Sequence, residues 1–361
     1  MELLDKKMHE RIKMFNQMAI NADLSQLPIG LYNGKMGLCI YFYELTALTS
    51  EKKYRTVANK ILDDILNRVT DNINIDTANG LVGICMAINF LIDSGYIEGD
   101  PNHVLKSYDD KIIQSLLFNR ILDSNPDLDT IKTIMDSLTY CTTRLQNTRL
   151  SNNERHIMQG VIIEIINKTE SLEIDKFTEP PSFSVISFFT PFYLQLLKRI
   201  YQLNFYNYKI EKILDGLSSH ILYMYPLHKA NRLSLCSAMN EVNTIAGNIT
   251  GWDKHIELLQ QSLDNHQIIN EFQNKNMAFN QGLCGFYYLL RKTGINKEYN
   301  DLFINKIANS DIWDYYFKND NAYMQPFSLY HGAPGVILTY LHILTQSNTV
   351  MFFDKAIAQY I

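Results

Sequence analysis

The sequence of 361 residues predicts an all-α fold, an (α/α)7 toroid with seven inner and seven outer helices. Two observations lead to this prediction. Charged amphipathic segments alternate along the chain with segments that are apolar on every side, and a Gly-x-x-Gly phrase recurs before the apolar segments. Few glycines (16) and prolines (9) argue against a loop-rich β protein. We expect a single domain over residues 1–361.

The charged segments have helical periodicity. In residues 51–67, the apolar side chains of Tyr54, Ala58, Ile61 and Ile65 recur every three to four positions, which is typical of a helix with one buried face. The same pattern predicts six further outer helices, at residues 3–19, 111–122, 154–167, 209–222, 253–263 and 299–309.

The apolar segments predict inner helices. They cover residues 37–48, 83–92, 186–197, 285–290 and 335–344. A helix that is apolar all round must be covered all round, and an outer layer of charged helices provides this cover. A closed ring buries such helices better than an open solenoid, although an ordinary solenoid with degenerate repeats is the alternative.

The Gly-x-x-Gly phrase sets the repeat. It occurs at 34–37, 80–83, 282–285 and 332–335, and the long middle gap has room for three weaker copies that start near Ser137, Phe189 and Ala238. Glycine allows a sharp turn or a close approach of two backbones. We expect functional residues in these loops, where free amides at helix N-termini favour anionic ligands.

Composition excludes several classes of protein. The net charge of −5 and the pI near 6.0 argue against a nucleic-acid-binding surface. The first twenty residues do not form a signal peptide, and the apolar run at 335–344 is about half the length of a membrane span. The five cysteines are scattered, which favours reduced thiols and a cytoplasmic location.

Four of these repeats resemble the lanthionine synthetase C-like (LanC) family. The matching stretches are GLYNGKMGLCIYFYEL at 30–45, IDTANGLVGICMAINFLI at 75–92, NQGLCGFYYLL at 280–290 and YHGAPGVILTYL at 330–341. The resemblance implies an α,α-toroid. It also implies cyclisation of class I lanthipeptides, in which a cysteine thiolate of the peptide adds to dehydroalanine or dehydrobutyrine. Zinc would hold that thiol as the thiolate, which is the attacking species.

The resemblance implies particular proton-handling residues. Asp76 lies four residues before Gly80 and matches the family's aspartate, although a helix N-cap is an equally simple interpretation. Phe188 stands where the family has a histidine. His331, directly before the last Gly-x-x-Gly phrase, is a second catalytic candidate.

The zinc ligands that the resemblance implies are incomplete. Cys236 matches the first zinc cysteine, with a buried structural cysteine as the other interpretation. Asn280 and Gln281 stand where a Cys-His pair should be, and amides are not customary zinc ligands. A second register makes Cys284 and His331 the ligands, although Cys284 then falls inside its Gly-x-x-Gly phrase.

Three functions follow from these residues. The first is a zinc-deficient LanC-like component that binds a precursor peptide or a dehydratase, with no cofactor expected and zinc implied only by the resemblance. The second is an active cyclase with an altered site that uses Asp76, His331 and Cys236 or Cys284. The third is a glycosidase, because helical toroids also host such enzymes, and its two carboxylates would be Asp76 and Glu241.

Overall fold

The computed structural model of the chain describes residues 2–69, 73–118, 127–146, 150–169, 177–247, 249–294, 297–318, 325–345 and 350–360. Within these ranges the regular structure is helical, and they contain no strand. In chain order the helices are α1 (Glu2–Asn21), α2 (Lys35–Thr49), α3 (Lys52–Arg68), α4 (Leu81–Asp93), α5 (Pro101–Val104), α6 (Lys106–Phe118), α7 (Leu128–Gln146), α8 (Asn152–Thr169), α9 (Phe189–Gln202), α10 (Asn207–Tyr223), α11 (Lys229–Ala246), α12 (Trp252–Gln260), α13 (Asn265–Glu271), α14 (Leu283–Lys292), α15 (Asn300–Ala308), α16 (Ile312–Phe317), α17 (Ala333–Thr345) and α18 (Phe352–Tyr360).

The predicted alternation of helices is confirmed. The seven amphipathic segments correspond to α1, α3, α6, α8, α10, α12 and α15, and the end of the predicted 111–122 helix lies outside the described residues. The apolar segments correspond to α2, α4, α9, α14 and α17, while α7 and α11 occupy the places of two weaker repeats. Helices α5, α13 and α16 are short additions between repeats.

Burial separates the two kinds of helix. Every residue of α2 from Lys35 to Leu45 is buried, as a helix with apolar residues on all sides requires. Helix α3 buries a single stripe, which consists of Tyr54, Ala58, Ile61, Leu62 and Ile65. These two helices pack closely against each other, so the stripe of α3 covers one side of α2.

Two of the three weaker repeats start earlier than the sequence predicts. Helix α11 begins at Lys229, and the predicted start near Ala238 lies in its middle. The first turn of α11 buries polar residues: Asn231 donates to Glu179, and Arg232 donates to the carbonyl of Pro226. Helix α7 likewise begins at Leu128, well before Ser137. Apolar spacing does not detect turns that are buried through polar contacts, whereas the start near Phe189 is confirmed.

The chain packs as two compact units. The first comprises Met1–Ile97 and Asn265–Lys355, and the second comprises Glu98–Asp264 and Ala356–Ile361. A single domain over the whole chain stays a prediction. Within the described ranges, no helix combines the length and the apolar character needed to cross a lipid bilayer.

Candidate functional site

The loops before the apolar helices of the first unit share one backbone design. In α2, α4 and α14 the first N–H of the helix donates to the carbonyl seven residues earlier: Lys35 to Pro28 at 2.7 Å, Leu81 to Asn74 at 2.7 Å, and Leu283 to Asn276 at 2.9 Å. The expectation of free amides at these N-termini is therefore wrong. Each loop folds back and satisfies the leading amide of its own helix, which removes that donor from any anionic ligand.

The glycines of the phrase permit this reversal. A Cβ on Gly80 would overlap the carbonyl oxygen of Asn74, and a Cβ on Gly83 would overlap that of Thr77. Gly37 and Gly335 lie in the same way over carbonyls six residues earlier. The sequence correctly indicated close backbone approach at these positions, since any side chain would displace the loop.

Four loops of the first unit form a continuous row. The N–H groups of Leu31 and Tyr32 donate to the carbonyls of Thr77 and Ala78, at 3.4 and 3.1 Å. The Tyr330 N–H donates to the Tyr32 carbonyl at 3.3 Å.

The row continues from the loop of Tyr330 to the loop that precedes α14. The Asn280 N–H donates to the Tyr330 carbonyl at 3.0 Å. Along the row, the loop before α4 comes first, followed by the loops before α2, α17 and α14. The loops of Asp76 and His331 therefore lie on either side of the loop at 30–34.

Asp76 is placed by a turn. Its side chain is half-buried, and its Oδ1 accepts the N–H of Asn79 at 2.7 Å. The N-cap of α4 is Gly80, which makes no side-chain capping bond. Asp76 therefore stabilises the turn that leads into α4. It lies four residues before the N-cap, which is the structural role that the sequence indicated for it.

His331 is held through its backbone. Its N–H donates to Ser328 Oγ at 3.0 Å, and its carbonyl accepts the hydroxyl of Tyr316 at 3.3 Å. Burial lowers the pKa of the imidazole, which is half-buried at the row of loops. The ring is therefore neutral near pH 7 and can accept a proton.

Cys284 belongs to the core. It is fully buried at the start of α14, and its thiol hydrogen-bonds Thr339 of α17. Burial raises the pKa of the thiol to about 12. A thiol in this setting stays protonated at neutral pH and is not an activated nucleophile.

Cys236 and Glu241 lie in the second unit, both inside α11 and not in a loop. Cys236 is buried beside Asn240 and Gln260, and burial raises the pKa of its thiol to about 11. Glu241, the second acid of the glycosidase alternative, forms an ion pair with Lys198. No observation favours that alternative.

A buried polar cluster that was not predicted from the sequence lies between α2, α14 and α17. Glu44 is fully buried, and its Oε1 accepts the N–H of Phe352 at 2.6 Å. Glu44 Oε2, both ring nitrogens of His342 and the hydroxyl of Tyr288 are buried without a hydrogen-bond partner among the described residues. A lone Glu and a lone His in otherwise apolar helices were the signal that could have revealed it.

Comparison with known proteins tests the resemblance. The model of the lanthionine synthetase C-like protein family matches residues 25–188. Among solved structures, nisin cyclase matches with a TM-score of 0.63 over 97% of both chains, at 12% sequence identity. The chain is therefore similar to the LanC-like family over residues 25–188, which is less than half of its length. It has the all-α toroid fold class of nisin cyclase, a likeness that at this identity extends to the fold alone. No curated protein sequence matches the chain.

The zinc that the LanC-like resemblance implies does not fit the residues present. Asn280 is buried with its backbone tied to Tyr330, and Gln281 is exposed, so neither supplies a thiolate or an imidazole. Phe188, at the position of the family's histidine, is fully buried. No three His, Cys, Asp or Glu side chains of the described part of the chain group as a metal site. We therefore derive no step through zinc.

Proposed function

We propose that this LanC-like protein acts in lanthipeptide maturation by binding a precursor peptide, without zinc-dependent cyclisation. The proposal rests on the side chains available as zinc ligands. Asn280 and Gln281 replace the Cys-His pair that the family resemblance implies, and Cys236 is buried inside α11. The match to the LanC-like family model over residues 25–188 and the likeness to nisin cyclase support a lanthipeptide-related role. A lanthipeptide dehydratase is the second partner that we propose on the same ground.

The state of the thiols agrees with this role. The five cysteines, all within the described residues, are buried and form no disulfide with one another. Burial raises the pKa of Cys236 and of Cys284, so neither thiol is an activated nucleophile. Free thiols also support the cytoplasm as the proposed place of action.

The test uses the full chain and a synthetic peptide that contains dehydroalanine and, a few residues later, cysteine. Ring closure leaves the mass unchanged, so the remaining thiol is labelled with a maleimide and counted by mass spectrometry. We expect far less than one zinc per chain by elemental analysis, saturable peptide binding by calorimetry, and thiol loss no faster than without protein. Stoichiometric zinc or accelerated thiol loss would contradict the proposal.

Accelerated thiol loss would instead support the altered-site cyclase. The neutral imidazole of His331 favours that alternative, because it can take the proton of a peptide thiol. His331→Ala would then slow thiol loss, while His9→Ala on the exposed face of α1 would not. Asp76→Asn keeps an oxygen for the Asn79 N–H, so a slower rate in that variant would indicate a role for the charge.

A further inference from the structure

A pocket of about 340 Å³ lies between the end of α1, the first residue of α2 and one face of α3. We propose that it binds a carboxylate carried on a short aliphatic chain. Its volume is within the range of small-ligand sites. The inference does not depend on the proposed function, because a free dicarboxylate and an acidic peptide offer the same chemistry.

Part of the wall is apolar. Small and branched side chains come from α1, the following connection and α3, and these are Ala19, Ile20, Ala22, Leu24, Val57 and Ile61. Ala19 and Ile61 are buried, and Ile20 is 43% exposed. Such a wall favours an aliphatic group over a fully hydrated ion.

The floor carries a buried cation with unused donors. Lys35, inside the first Gly-x-x-Gly phrase, is only 2% exposed and lines the pocket. Its ammonium carries three N–H donors. Among the described residues its one hydrogen-bond partner is Asp64, with Nζ and Oδ2 2.5 Å apart. A buried donor without an acceptor costs free energy, and a ligand oxygen in the pocket would recover it.

The acids that line the pocket are already satisfied. The second oxygen of Asp64 accepts from Arg68 Nε at 2.9 Å. Asp23 accepts the N–H of Ser25 at 2.9 Å on one oxygen and its hydroxyl at 3.0 Å on the other. Neither carboxylate therefore needs a cation from a ligand.

The charge of the pocket that no ion pair neutralises is positive. Lys60 lines the pocket, is exposed, and makes no ion pair with a described residue. Together with the unused donors of Lys35, it leaves the pocket rich in donors and poor in free acceptors. The complementary ligand is an anion with hydrogen-bond-accepting oxygens, and the apolar wall selects one with an aliphatic stem.

The test follows methyl resonances of the full chain labelled at alanine and isoleucine, since Ala19, Ile20, Ala22 and Ile61 line the pocket. The probes are glutarate, acetyl-Ala-Glu-Leu-Ala-amide, and the free acid acetyl-Ala-Gln-Leu-Ala, which carries only a C-terminal carboxylate. The neutral control is acetyl-Ala-Gln-Leu-Ala-amide. We expect saturable shifts of these methyls with at least one carboxylate probe and none with the neutral peptide. The probe that binds most tightly identifies the source of the carboxylate.

Charge variants test the assignment. Lys60→Met removes one exposed cation and is expected to weaken binding by about 1.5- to five-fold, the effect of an exposed ion pair. Lys52→Met, on the same helix but outside the pocket, is the matched control and should bind like the wild type. Lys35→Met should weaken binding further. The proposal is overturned if no carboxylate probe gives saturable shifts, if the neutral peptide gives equal ones, or if Lys60→Met binds unchanged.

Discussion

At the scale of single residues, two kinds of glycine occur in this chain. Gly83 has no room for a side chain, because a Cβ would overlap the Thr77 carbonyl and approach the side chain of Leu31. Gly160, in the exposed part of α8, has nothing near its Cβ position. The first kind is required by the loop reversal, whereas the second costs helix stability without any compensating contact.

Alanine substitutions at these two positions should therefore have opposite effects. We expect Gly83→Ala to lower the free energy of unfolding by about 1–3 kcal/mol or more, because the loop must shift to relieve the overlap. Gly160→Ala should raise it by about 0.5–1 kcal/mol. Urea unfolding followed by circular dichroism measures both. A Gly83→Ala variant as stable as the wild type would show that the loop reversal is not rigid.

The sequence could predict these glycines but not the state of the amides beside them. Four Gly-x-x-Gly copies indicated close approach, which a Cβ built at Gly37 or Gly80 confirms. In α2, α4 and α14 the partner of the leading amide is a carbonyl seven residues earlier, for example Asn74 for Leu81. That pairing depends on the path of the loop backbone, so it cannot be predicted from the residue types.

At the scale of elements, the buried cluster of α2 and α17 makes stability depend on pH. Burial raises the pKa of Glu44 to about 8, and it lowers the pKa of His342 to about 4 with help from Arg291. Asp354, which binds Arg291 with Nε and Oδ1 2.8 Å apart, opposes the second shift. Both buried groups are thus neutral near pH 6 in the folded chain.

The sign of each effect follows from proton uptake. Between pH 4.5 and 8 an unfolded chain ionises Glu44 while the folded chain keeps it protonated, so stability falls as pH rises. Between pH 6.5 and 4 an unfolded chain protonates His342 while the folded chain does not, so stability falls as pH drops. The two effects oppose each other below pH 6.5, and above it Glu44 acts alone.

We therefore expect Glu44→Gln to remove a loss of stability at mildly alkaline pH. In the wild type the free energy of unfolding should fall by about 2 kcal/mol between pH 6.5 and 8, an order-of-magnitude figure from the shift of Glu44. Glutamine keeps an oxygen for the Phe352 N–H but does not ionise. Urea midpoints at the two pH values measure the difference, and Glu10→Gln on the exposed face of α1 should retain the fall. An unchanged fall in Glu44→Gln would exclude this carboxyl as its cause.

Helix periodicity predicted where elements lie but not which polar groups they bury. The spacing of apolar residues alone predicts the buried stripe of α3. In the first turn of α11 the buried residues include Asn231 and Arg232, which are polar and which such spacing would place on an exposed face. Cys236 was consequently assigned to a loop and lies two turns inside a helix. The replacements that the family resemblance implies at Asn280 and Gln281 are, in contrast, differences of residue type, and they stay a prediction.

At the scale of the whole molecule, the two ends of the repeat array meet within the first unit. The rings of Tyr32 and Tyr330 lie with their centroids 4.1 Å apart, and Ser328 Oγ donates to the Tyr32 carbonyl at 2.7 Å. Helix α17 also packs against α2. An open solenoid would keep its first and last repeats apart, so this contact is what the predicted ring requires.

A double-mutant cycle tests that contact in solution. Tyr32→Leu and Tyr330→Leu should each destabilise the chain, and the double variant should lose less than the sum by about 0.5–1.5 kcal/mol, the coupling of a packed aromatic pair. The control cycle pairs Tyr32→Leu with Leu66→Ala, whose side chain on α3 is 41% exposed, and should give additive losses. Additivity in the Tyr32–Tyr330 cycle would mean that the two rings do not pack in solution. A coupling free energy between these two residues, which are 298 positions apart in the sequence, would show that the last repeat stabilises the first. Substitutions near either end of the chain would then weaken both repeats.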